Sequence, residues 1–204
     1  MISAHAALDR LRQGNRRFVT GEGVREIEFE HSRRKALVDT QNPFAIILGC
    51  SDSRVPAELV FDQGLGDLFV IRVAGNIVRS SQIGSVEFAA EKFGTGLVVV
   101  LGHSRCGAVQ ATVEELQRPS ADQSPHLKAI VDRIRPAVGR IVADNPEDDA
   151  GTLVEKAVRA NVLHAAEALR HGSDIIEGRV NDEALRIVGA EYSLETGLVE
   201  FFEI

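Results

Sequence analysis

Ala4, Leu8, Leu11 and Phe18 recur at helical spacing with Arg10, Arg12, Arg16 and Arg17 around them, so residues 1–20 predict an amphipathic helix. Its apolar stripe needs a surface to lie on. A polar stretch over 21–35 follows, and then Phe44-Ala45-Ile46-Ile47-Leu48, a continuous apolar run that fits a strand covered on both faces. The runs 67–73 and 97–101 read the same way. Between these two, Ile83, Val86, Ala90 and Phe93 are spaced by three and four; a further helix carries Val109, Thr112, Val113 and Leu116. Strands alternating with helices at this spacing argue for a parallel, doubly wound sheet.

The second half reads as mostly helical. Ser124-Pro125 is an N-cap and first-turn pair leading into Leu127, Ile130, Val131, Ile134, Val138 and Ile141, a helix that Pro136 should kink or divide. Val154, Ala157, Val158, Val162, Ala165 and Leu169 form a second run, stopped at His171-Gly172. Segments 184–192 and 198–202 flank Glu195-Thr196-Gly197 and predict a hairpin that adds an antiparallel edge to the sheet. There is no internal repeat, and 119–125 and 144–151 read as exposed linkers without marking a domain boundary. The expectation is one α/β domain over 1–204: a mainly parallel sheet of four strands, an antiparallel edge strand, and helices on both faces.

Size and charge narrow the partners. A chain of 204 residues that is 44% hydrophobic can bury a core without staples. Lys+Arg 23 against Asp+Glu 30, a formal charge of -7, gives no basic field for nucleic acid or an anionic membrane. Two cysteines are no disulfide framework, no charged segment followed by an apolar one opens the chain, and its apolar runs are too short to cross a bilayer. The arginines of the first helix resemble a transit peptide, but Asp9 and the apolar spacing suit a folded helix better. A reducing cytoplasm is the expected setting.

Both cysteines lie in short polar motifs at the ends of apolar runs: Cys50-Ser51-Asp52-Ser53-Arg54 and His103-Ser104-Arg105-Cys106-Gly107. In parallel sheets ligands gather beyond the carboxyl ends of strands where the winding reverses, and both motifs belong there. Two thiolates and one imidazole are a zinc donor set. A helix starting near His103 would put His103 and Cys106 on one face, with Cys106 near its N-terminus, where thiolate is favoured. In extended chain Cys50, Asp52 and Arg54 would alternate onto one side. Asp52 as fourth ligand would close the site in an inert state; held off by Arg54, it would leave a position for water and could orient it. Other readings stay open: core or redox cysteines, a closed structural zinc, or a thiol hydrolase with Cys50 as nucleophile, His103 as base and Asp52 as orienter, which leaves Cys106 idle. His5, His31, His126 and His164 lack ligand spacing, Gly64-Leu65-Gly66 reads as a turn, and Arg16-Arg17 and Arg33-Arg34-Lys35 read as solvated faces.

Through these two motifs, Arg72-Val73-Ala74-Gly75-Asn76 and Gly14-Asn15-Arg16-Arg17-Phe18, the chain resembles the bacterial β-class carbonic anhydrases with a plant-like active site. The resemblance implies reversible hydration of CO2 to bicarbonate and a proton by zinc-bound hydroxide. One Zn2+ per chain would be held by Cys50, His103 and Cys106, gated by the pair Asp52 and Arg54, with Asp52 on the metal only in a closed inactive state. It further implies Gln41, Phe69, Phe88 and the Gly107 N–H around the substrate, with Gln41 and Phe88 reaching across a dimer interface. The N-terminal helix would clasp a partner subunit in a homodimer or dimer of dimers. A regulatory bicarbonate site would use a tryptophan, an arginine and a tyrosine; Arg72 and Tyr192 match, but Ile47 stands at the tryptophan position, so such regulation is not implied. Carbonyl sulfide or carbon disulfide hydrolysis on the same fold, and a zinc-stabilised non-catalytic binding or sensor domain, are the alternative functions.

Overall fold

The continuous apolar runs become strands because both of their faces are covered. β1 (Ala45–Gly49) and β3 (Leu97–His103) are buried at every position in the computed structural model, which describes residues 2–22, 31–119 and 124–204. The expected polar stretch 21–35 and linker 119–125 fall partly outside the described residues, as does the side chain of His31. Around the central strands lie α1 (Ala4–Thr20), α2 (His31–Ala36), α3 (Ala57–Val60), β2 (Leu68–Arg72), a 3-10 turn (Ala74–Asn76) and α4 (Ser80–Lys92). After β3 come α5 (Gly107–Gln117), α6 (Pro125–Asp144), α7 (Ala150–His171), α8 (Asp174–Asn181), β4 (Arg186–Tyr192) and β5 (Val199–Phe202).

The sheet order is β2-β1-β3-β4-β5, parallel from β2 to β4, with β5 antiparallel to β4 as the hairpin pattern requires. Alternate strand residues feed opposite faces. Ile47, Val99 and Leu101 join Leu8, Leu11 and Phe61 under α1 and α3, whereas Ile46, Leu48, Val98 and Val100 meet Val162, Ala166, Leu169 and Ile176 of α7 and α8. A third apolar cluster, between α5, α6 and α7, includes both cysteines. The chain passes from β1 to β2 on one side and then to β3 on the other, so the winding reverses at β1. Among the described residues no helix is long and apolar enough to cross a membrane.

Three expectations change. The apolar stripe of α1 finds a surface within its own chain: Ala7, Leu8 and Leu11 are buried against the sheet, so the stripe itself does not call for an oligomer. Asn15 ties this helix down by donating to the carbonyls of Val60 (3.1 Å) and Gly197 (2.8 Å) and accepting from the Val199 amide (2.9 Å). Gly14 permits the approach, since a Cβ there would lie 1.8 Å from the Phe61 carbonyl oxygen. Arg17, expected to be solvated, pairs with Asp62 of the segment after α3. Finally, Pro136 does not divide α6, which runs unbroken with Ile134 and Val138 buried on either side of it. The lost intrahelical bond is outweighed by that packing. Gly64-Leu65-Gly66 is a turn, with the Gly64 amide donating to Asp67 (2.9 Å) and Gly66 at φ 78.

Candidate metal centre

β1 ends at Gly49 and delivers Cys50 to the top of the sheet. The chain then turns rather than running extended: the Val55 amide bonds the Asp52 carbonyl (3.0 Å) and the Arg54 amide bonds Asp52 Oδ1 (3.0 Å). This Asx-type turn folds Arg54 back onto Asp52, with Nε to Oδ1 at 2.9 Å and Nη2 to Oδ2 at 2.7 Å. The proximity expected from alternation is achieved by a bend. Arg54 hydrogen bonding holds the Asp52 carboxyl well below the usual carboxylate range. At the end of β2, Arg72 donates to the carbonyls of Cys50 (3.0 Å) and Asp52 (2.6 Å), fixing the backbone beneath the pair.

The second motif also differs in detail from a shared helix face. His103 is the last residue of β3, whereas Cys106 is the N-cap of α5, and Arg105 between them adopts a left-handed φ of 54. Ser104 continues the β3–β4 pairing through its amide to the Tyr192 carbonyl (2.9 Å). The hairpin between β4 and β5 grips this turn from outside: Glu195 accepts from Ser104 Oγ (2.8 Å) and pairs with Arg105 (2.6 Å), and the Leu194 amide bonds Ser104 Oγ (3.0 Å).

These turns bring one ligand atom each of Cys50, His103 and Cys106 within 4.8 Å of one another, all three residues buried. His103 Nδ1 lies 2.9 Å from the Ser104 carbonyl, which can only accept, so Nδ1 carries the proton and Nε2 presents a lone pair. That Nε2 is buried and bonds no protein group, with Asp52 Oδ2 at 3.8 Å. Both thiols are free. Cys50 is held below the ordinary thiol value by its hydrogen bond with Cys106, then by His103 and the Gly75 amide, against the opposing effect of burial. Cys106 is pushed up by its bond to Cys50 and by burial. Two sulfurs this close and this buried oppose each other's ionisation, and a cation among them would relieve that opposition. Two soft sulfurs and a buried imidazole nitrogen without a hydrogen-bond partner, in an enclosed cluster, fit zinc.

The structure gathers Cys50, Asp52, Arg54, His103 and Cys106. Gly107 begins α5 next to Cys106, its amide in the first helical turn, where N–H groups lack intrahelical partners. Phe69 and Phe88 instead form an aromatic cluster with Phe93 beside the edge strand β2, at centroid distances of 5.6–6.2 Å. Phe88 is 51% exposed, and Gln41 is exposed in the segment before β1. Ile47 is buried in the core, Tyr192 packs against Phe18, and Arg72 is engaged with the first loop. The roles of Arg72, Glu195 and Asn161 in supporting the loops escape a reading of the sequence, although Asn161 leaves a trace as a polar position on the apolar stripe of α7.

A sheet with buried Cys, His and Cys at its winding reversal places the chain among α/β proteins with a cluster that could hold a metal ion. Residues 45–199 match the family described as Carbonic anhydrase. Carbonic anhydrase 2 of Mycobacterium tuberculosis is 37% identical over 194 residues, covering 94% of this chain and 89% of that one. The solved β-carbonic anhydrase CcaA superposes with a TM-score of 0.74 at 28% identity, covering 97% of this chain and 88% of that one. A tetrameric β-carbonic anhydrase of Sordaria macrospora has the same fold, with a TM-score of 0.75, 22% identity, and coverage of 91% and 92%. The chain belongs to the β-carbonic anhydrase family.

Proposed function

We propose that this protein catalyses the reversible hydration of CO2 to bicarbonate and a proton, with one zinc ion per chain held by Cys50, His103 and Cys106. The observation that carries the reading is the bidentate Arg54–Asp52 pair, which occupies the carboxylate nearest the three donors and keeps it from serving as a fourth. Bound zinc would lower the pKa of water at its remaining position toward about 7. Asp52 would accept a hydrogen bond from such a water and aim its lone pair, and Arg54 would keep Asp52 ionised and out of the donor set. The Gly107 amide, in the first turn of α5, would donate to an oxygen of the product. CO2 is apolar and linear, so the walls need little polarity; the exposed Phe88 and Gln41 are suited to line the pocket of a neighbouring copy in a homodimer or dimer of dimers. A reducing cytoplasm suits two free thiols.

Stopped-flow CO2 hydration by the zinc-loaded protein tests this, repeated across pH and with carbonyl sulfide as competing substrate. The expected result is turnover that rises with pH through about 7 and falls when a chelator removes the metal. Hydrolysis of carbonyl sulfide without CO2 hydration would reassign the substrate, and bound zinc with neither activity would leave a metal-stabilised binding domain.

A further inference from the structure

Asn161 is an amide on the buried stripe of α7, 2% exposed among Ala157, Val158, Val162 and Ala165. Its Nδ2 donates to the Gly75 carbonyl at 2.9 Å, a buried bond across 86 residues of sequence. Gly75 in turn donates its own amide to Cys50 Sγ at 3.3 Å. The two bonds use the two peptide planes that meet at the Gly75 Cα.

That residue cannot hold itself in place. Its φ of 70 and ψ of 20 lie in the left-handed region, and a Cβ would sit 2.7 Å from Ile134 Cδ1 and 3.0 Å from Ala108 Cβ, so both backbone and space demand glycine. Glycine has the widest choice of other conformations, and an external partner is needed to select this one. A buried carboxamide offers a directional donor that an apolar neighbour lacks, and leaving its amide unpaired would be costly.

We infer that Asn161 is a positioning residue for the metal centre: by fixing the Gly75 carbonyl it aims the Gly75 amide at Cys50 sulfur and so sets how strongly that sulfur donates to a bound cation. This rests on the proposed zinc site but not on the reaction carried out there. An N–H···S bond draws charge from a thiolate, one of the ways in which an outer-shell partner tunes a bound metal. Cys106 and His103 have different supports, in α5 and in the Ser104 carbonyl, so the effect falls on one ligand of three.

The test uses Asn161→Leu, similar in volume without the donor, beside Leu169→Val, a core change two turns along the same helix. In the cobalt-substituted protein, Asn161→Leu is expected to move the sulfur-to-cobalt charge-transfer band to lower energy. Zinc loss to a chelator should quicken by roughly tenfold, because loss of the sulfur's fixed orientation outweighs its gain in charge, and Leu169→Val should move neither. A folded Asn161→Leu protein with an unshifted band and unchanged zinc release would overturn the assignment. Should that variant fail to fold, the unaltered protein loaded with cadmium-113 provides the measurement: a through-bond coupling between the Gly75 amide and cadmium supports the geometry, and its absence overturns it. Cobalt and cadmium signatures as expected in a protein that hydrates no CO2 would support this positioning role while overturning the proposed reaction.

Discussion

The two loops that supply the donor set are built differently. The Cys50–Arg54 loop carries its polar groups outward: Asp52 and Arg54 pair with each other at the surface, and only the backbone below them is held, by Arg72. The His103–Cys106 loop is sunk, with His103 at 0% and Cys106 at 1% exposure, and is gripped from outside by the β4–β5 hairpin through Glu195. One loop therefore combines a candidate ligand with an acid held by its guanidinium partner, whereas the other contributes candidate ligands alone. The difference separates holding a metal from using it, and each half can be damaged without the other.

The largest effects should come from the buried side. Replacing His103 with Ala or Cys106 with Ser is expected to remove zinc altogether, from about one ion per chain to none, as read by elemental analysis of the purified protein; a fully loaded His103→Ala protein would contradict the donor set. Next, Asp52→Ala should retain zinc yet lose CO2 hydration by about 10² or more, so metal content and turnover part company. Unreduced turnover would remove Asp52 from the reaction. Glu195→Ala, which removes the carboxylate's bonds to Ser104 and Arg105, should leave initial zinc content intact and speed zinc release by roughly tenfold or less in a chelator competition. An equal effect on Asp52-dependent turnover at saturating zinc would show that the loops are coupled after all.

The smallest effect concerns protons at the first loop. The Asp52 pKa is lowered by Arg54 in the folded chain, so the pair contributes stability above the unfolded carboxylate value of about 4, and that contribution is lost as pH falls through the lowered folded value. Arg54→Ala should raise the Asp52 pKa and flatten this acid limb. Melting temperatures of the metal-free protein between pH 6 and pH 2.5 should fall less steeply for the variant than for the parent, whereas parallel curves would show that the pair adds nothing to stability.

How much of this the sequence discloses depends on whether a feature is local. The runs at Ile46-Ile47-Leu48 and 97–101 announce buried strands because every position is apolar, and the two motifs at their ends announce the donors. The stripe of α1 is equally plain, but a stripe specifies only that something covers it; that the cover is the chain's own sheet, through Asn15 and Gly14, depends on residues far along the chain. Likewise His103 and Cys106 are three apart whether they share a helix or straddle its start, and only the strand's extension through His103 decides. Asn161 shows most clearly what is missing: its partner lies 86 residues away, and a lone amide on an apolar face names neither that partner nor its purpose.

The grip of Arg72 on the carbonyls of Cys50 and Asp52 has a temporal consequence. With the main chain clamped on both sides of Ser51, the acid and its guanidinium partner stand on a fixed base, and only side-chain torsions remain to part them. Rotamer changes of exposed side chains take picoseconds to nanoseconds, whereas collective segment movements take microseconds or longer. Any separation of the two is therefore timed by the breaking of their own contact and not by the slower motion of the backbone beneath it.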